Sequence, residues 1–116
     1  MPPDIDLSYL IGAELIQVCV GENQIQLRFV PDGLSISVES DITVSGGGGA
    51  IQTVSVFPRD AGALLPLLGQ RVSNWRRISE RALEIAFDRG VQITLSDSSD
   101  RYESFQIKGP GGLLVV

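Results

Sequence analysis

Apolar and polar residues alternate with a period of two in five separate runs: Ile25-Gln26-Leu27-Arg28-Phe29, Leu34-Ser35-Ile36-Ser37-Val38, Ile51-Gln52-Thr53-Val54-Ser55-Val56, Leu83-Glu84-Ile85-Ala86-Phe87 and Val91-Gln92-Ile93-Thr94-Leu95. Successive side chains of a strand point to opposite faces, so each run describes a strand with one buried and one wet face. Such a chain has to pack its apolar faces together as antiparallel sheets. Residues 14–20 and 41–44 are strand-like as well, and alternation resumes along 100–107. The final apolar run, 113–116, is expected to pair into the sheet or an interface, because a loose apolar strand is an aggregation hazard.

Pro31-Asp32-Gly33 and Asp88-Arg89-Gly90 separate alternating runs at points where a short hairpin loop needs one residue at positive φ, which glycine supplies without a Cβ penalty. Laying the two hairpins over each other exposes an internal repeat. Leu10-Ile11-Gly12 matches Leu67-Leu68-Gly69, Leu15 matches Val72, Val18 matches Trp75, Phe29 matches Phe87, and Ile36 and Val38 match Ile93 and Leu95. The offset is 57 residues and slips to 58 around the Phe pair, as expected if the first copy carries an extra turn residue, Pro31. Residues 12–38 and 69–95 are therefore read as two three-strand meanders sharing one core, in a sandwich or a closed barrel.

The one helix candidate lies between the copies, from Asp60 as N-cap through Leu65, with Pro66 ending it or restarting it tightly. Its Leu64, Leu65, Leu67 and Leu68 are expected to plug one end of the β core. The expected core is Leu15, Val18, Ile25, Leu27, Phe29, Ile36, Val38, Val54, Val56, Leu65, Leu68, Val72, Trp75, Leu83, Ile85, Phe87, Ile93, Leu95, Phe105 and Ile107.

A chain of 116 residues supports one domain, taken as 1–116, and buries roughly two-thirds of the surface its unfolded form exposes, so neither a disulfide nor a metal is required. With no His, one Cys and one Lys, imidazole catalysis, Cys/His zinc sites and an internal disulfide are excluded. The remaining acid/base device is a carboxylate pair, and Glu80/Glu84, Glu39/Asp41 and Asp97/Asp100 all read better as solvated surface. Asp97-Ser98-Ser99-Asp100 lacks the Gly and distal Glu of a calcium loop, and Ser45 to Gly49 lacks the Lys and helix of a phosphate loop. Cys19 has no base to activate it and reads as a buried small hydrophobe. No catalytic residue, metal or cofactor is expected.

Charge separates the halves. Residues 1–58 hold seven acids and one base, Arg28, whereas 59–116 hold seven acids and eight bases, for halves of −6 and +1 and a total of −5. That balance speaks against nucleic acid, whose binding needs a basic face. The start carries no basic n-region or apolar h-region and no stretch is long enough to span a bilayer, so a cytoplasmic protein without a membrane partner is expected. The expected contact surface is Glu22, Asp32, Glu39 and Asp41, the last two beside the Gly46–Gly49 loop, for a basic protein partner. Arg76 and Arg77, beside Trp75, are further contact candidates, since Arg makes bidentate and stacked contacts. Trp75 itself reads as core.

The Leu-Ile-Gly and Leu-Leu-Gly openings, the strands ending in Phe, the Gly turns and the late Tyr102-Glu103-Ser104-Phe105 followed by Gly109-Pro110-Gly111-Gly112 resemble a family of small bacterial proteins of unknown function. Some of its members are suspected immunity proteins of polymorphic toxin systems. The resemblance covers nearly the whole chain and implies a non-catalytic protein-binding module whose partner is a basic toxin domain. It supplies no catalytic residue, and a homodimer is compatible with it. The alternative is a small-ligand binder with an apolar cavity between its repeats.

Overall fold

The computed structural model describes residues 5–31, 33–46, 48, 51–55, 57–96, 105–110 and 112–115. Among them are β1 (Glu14–Val20), β2 (Ile25–Val30), β3 (Leu34–Val38), β4 (Ile42–Gly46) and β5 (Gln52–Val54). After the helical segment come β6 (Val72–Ser79), β7 (Ala82–Phe87), β8 (Val91–Ser96), β9 (Phe105–Gly109) and β10 (Gly112–Val115). They form two antiparallel five-stranded sheets, ordered β1-β2-β3-β9-β10 and β5-β4-β8-β7-β6. The sheets do not close into a barrel, so the architecture is a sandwich. Among the described residues no helix is long and apolar enough to cross a membrane.

The two meanders recur as expected. β1-β2-β3 and β6-β7-β8 have the same strand order, and each first strand carries a bulge at the same place, between Leu15 and Gln17 and between Val72 and Asn74. Four residues separate the paired Phe29 and Leu34 in the first copy, while three separate Phe87 from Val91 in the second, so the extra turn residue is where Pro31 stands. The compensating insertion lies in the second copy, at the irregularity between Arg77 and Ser79. Gly33 and Gly90 have φ of 92° and 85°, the conformation that these turns demanded.

After each meander the chain crosses to the opposite sheet. β4 and β5 form a hairpin that pairs with β8, and β9 and β10 form one that pairs with β3. Each sheet is thus a meander from one repeat completed by the hairpin of the other. At one corner the first residues of β1 run beside the segment leading into β6, where the Gly12 amide donates to the Val72 carbonyl (2.7 Å) and the Gly69 amide to the Leu15 carbonyl (2.8 Å). β10 pairs with β9, so residues 113–115 of the apolar run join the sheet, and Val116 lies outside the described residues.

The alternating residues of both inner faces fill the space between the sheets, none of Leu15, Ile25, Leu27, Phe29, Ile36, Val38, Val54, Val72, Leu83, Ile85, Phe87, Ile93, Leu95, Phe105 or Ile107 being more than 3% exposed. Val18 and Trp75 are half-buried and pack against this core, and Val56 lies outside the described residues. Leu65 and Leu68 depart from expectation, at 52% and 40% exposed. The cause is helix type. A single α-helical turn, α1 (Phe57–Asp60), passes directly into a 3-10 helix over Ala61–Leu67. Its three-residue period stacks Leu64 over Leu67, both buried, and leaves the next position of each turn outside. Pro66 sits within this helix rather than ending it, because its fixed φ suits 3-10 dihedrals.

Asp60 makes no capping bond. Its carboxylate accepts from the Ser55 amide (3.2 Å) and pairs with Arg59 (3.2 Å). The first repeat has the equivalent short helix at Ser8–Leu10, with Leu7 and Leu10 buried like Leu64 and Leu67. There Asp6 accepts from the hydroxyl and the amide of Ser8, which holds its carboxyl below the ordinary 3.8.

Candidate functional site

Strand direction sorts the predicted contact residues into groups. The β1–β2 turn carries Glu22, and Gln24 in the same turn donates to Glu39 (3.5 Å) just beyond β3. The chain then crosses to the second sheet through Ser40, whose hydroxyl donates to the Ser96 carbonyl at the end of β8, and Asp41 enters β4. Glu22, Glu39 and Asp41 therefore share one end of the sandwich, all exposed. Among the described residues none of them forms an ion pair.

Glu80, in the β6–β7 turn, reaches the same end because Ala82 pairs with Ser96. It was not foreseen as a contact residue, although the repeat points to it: the β6–β7 turn is the second copy of the turn that bears Glu22.

Asp32 lies outside the described residues. Its neighbours Pro31 and Gly33 stand at the far end of β2 from Glu22, about 17 Å along the strand. Of the Gly46–Gly49 loop, Gly47 and Gly49 lie outside the described residues, and Gly46 is separated from Asp41 by the length of β4. The expected four-residue face is thus a three-residue end, extended by Glu80 and without the glycine loop.

Arg76 and Arg77 fall on opposite faces of edge strand β6. Arg76 is on the outside and pairs with its cross-strand neighbour Glu84 (3.3 Å). That pair, largely exposed on the Arg side, is worth at most about 1 kcal/mol. Arg77 lies opposite the buried Leu83, and its Nε is buried without a partner, so its stem covers the edge of the core. Neither arginine is a member of the acidic end. Cys19 is also displaced from expectation, half-buried on the outer face of β1 opposite Gln26. The β1 bulge sets its side: Leu15 and Val18 face inward with two residues between them, which turns Cys19 out.

Described residues line several surface cavities, three of which bear on these groups. One of about 330 Å³ lies over Asn74, Arg76, Glu84 and Gln92. A second, of about 340 Å³, lies over Gln17, Gln26, Arg28, Ser35 and Lys108 on the outside of the first sheet. The third, of about 280 Å³, is bounded by Tyr9, Pro31, Leu34, Lys108 and Pro110. Partial burial and the Asp6 carboxylate raise the Tyr9 phenol above its ordinary 10.0. Among the described residues no three His, Cys, Asp or Glu side chains gather into a metal site. The calcium-loop candidate at 97–100 and the Tyr102-Glu103-Ser104 segment lie outside the described residues.

Over the described residues, fold and surface together define a ten-strand β-sandwich of two repeats with exchanged hairpins, its polar groups displayed at the ends and outer faces of an apolar core. The chain belongs to the family of unknown function DUF6188, whose model matches residues 7–116. No curated protein and no solved structure matches it.

Proposed function

We propose that this protein is a non-catalytic protein-binding module that docks a basic partner on the acidic end formed by Glu22, Glu39 and Asp41. The observation that carries this reading is the convergence of three exposed carboxylates from separate segments at one end, with no ion pair to neutralise them among the described residues. Exposed like charges at one end repel in the free protein and attract a cationic partner from a distance. A toxin domain neutralised by this module is the specific form suggested by the sequence resemblance. On this reading the protein acts in the cytoplasm, where Cys19 stays reduced.

The small-ligand alternative is less well supported, because the space between the sheets is occupied by core side chains. The test is association with the polypeptide encoded in the adjacent reading frame, measured by biolayer interferometry at two salt concentrations. The triple variant Glu22→Gln, Glu39→Gln, Asp41→Asn is expected to associate more slowly and with a flatter salt dependence while folding normally. Absence of binding, or an unchanged rate and salt slope in the variant, overturns the reading.

A further inference from the structure

We propose that the outer face of the β1-β2-β3-β9-β10 sheet is a second docking surface, and that its ligand is an extended acidic segment of a partner protein carrying one bulky apolar side chain. Strand register builds this face. Arg28 lies opposite Ser35 and Ser35 opposite Lys108, so both cations stand in one cross-strand row, two strand spacings or about 10 Å apart at their Cα atoms. Gln17 and Leu113 continue the row on either side. The next row on the same face is Cys19, Gln26, Ser37 and Gln106.

Neither row contains a carboxylate, in a chain with fourteen acids and nine bases. Arg28 Nε donates to Gln26 (3.2 Å), and among the described residues neither Arg28 nor Lys108 is in an ion pair. Among the described residues these two rows thus hold two cations and no acid.

The shape agrees with the charge. The cavity over Arg28 and Ser35 shares Gly33, Leu34 and Lys108 with the cavity bounded by Tyr9, Pro31 and Pro110. Lys108 therefore stands where a polar trough meets an apolar bowl. An extended polyproline II segment has three residues per turn and advances about 3.1 Å per residue, so carboxylates three residues apart share one face about 9 Å apart and match the two cations. An apolar side chain next to the first would reach the bowl beside Lys108. Gln17, Gln26 and Ser35 offer neutral donors and acceptors to its backbone. A nucleic acid fits less well, because two cations release few counterions.

The experiment is fluorescence polarisation of the full chain with labelled hexapeptides containing Phe-Asp-x-x-Asp, the same peptides with Asn or Lys in place of Asp, and a uridine hexamer. The Asp peptides are expected to bind at least tenfold more tightly than the Asn and Lys sets. The exposed double variant Arg28→Gln, Lys108→Gln, its fold checked by circular dichroism, is expected to lose that margin. Loss of Glu22, Glu39 and Asp41 should leave peptide binding unchanged, which separates this surface from the acidic end. Equal binding of the three peptide sets, an unaffected double variant, or tighter binding of the uridine hexamer overturns the proposal.

Discussion

Glu14 and Arg71 occupy equivalent positions in the two repeats, 57 residues apart, and are paired with each other: they form an isolated antiparallel bridge, and Arg71 Nη2 lies 3.8 Å from Glu14 Oε1. The backbone bonds around them come in exchanged pairs. Gly12 to Val72 is mirrored by Gly69 to Leu15, and Val72 to Ala13 (2.8 Å) by Leu15 to Gln70 (3.0 Å). The bridge therefore lies on the approximate twofold relating the repeats. With side chains 64% and 35% exposed, the ion pair itself contributes little. A double-mutant cycle of Glu14→Ala and Arg71→Ala in urea should give a coupling below about 1 kcal/mol that shrinks with salt. A coupling well above that would mean that the side chains, and not the ladder, hold the corner.

Phe29 and Phe87 face the core from equivalent strands, opposite Leu15 and Val72, and both are buried. Truncating either to Ala should cost about 3–5 kcal/mol by chemical denaturation. Costs near zero at either position would contradict the register.

The 3-10 helix makes neighbouring leucines unequal. Leu64→Ala and Leu67→Ala should each destabilise by about 2–5 kcal/mol, while Leu65→Ala on the exposed side should cost no more than about 1 kcal/mol. Equal losses at 64 and 65 would imply a different helical period.

Gly109 lies so close beneath Tyr9 that a Cβ there would overlap the aromatic ring. Gly109→Ala should therefore cost about 1–3 kcal/mol in strain and push Tyr9 outward. In a Tyr102→Phe background, which leaves Tyr9 as the one tyrosine, ultraviolet titration should place the phenol above 10.0, and Gly109→Ala should return it toward that value. An unchanged midpoint would show that burial of the ring does not set it.

The same titration has a linkage consequence. Because the folded phenol is raised above its unfolded value, its contribution to stability is complete below pH 10 and is lost as pH rises through the folded value. Comparing the pH dependence of urea midpoints for the Tyr102→Phe protein and for the same protein with Tyr9→Phe should show a steeper alkaline loss in the former. Parallel curves would contradict the assignment.

Alternation alone specifies the strands, the inward faces outside the β1 bulge that turns Cys19 out, and the pairing within each meander. Alternation is a local property, and a slip of one residue would expose a whole face such as Ile25, Leu27 and Phe29. The sequence also carried the repeat and the place of the extra turn residue. The helical period between Asp60 and Leu67 was not legible, because a short apolar run with one proline fits more than one helix type, so Leu65 and Leu68 were assigned to the wrong side. Tertiary structure alone decided the exchange of hairpins, the pairing of Glu14 with Arg71, and which charges meet. Those outcomes depend on the strand order and direction, set when distant segments compete for the edges of two sheets. Hence Glu39 meets Gln24 at one end, Arg77 turns toward the core, and Arg28 and Lys108, eighty residues apart in the chain, stand in one row.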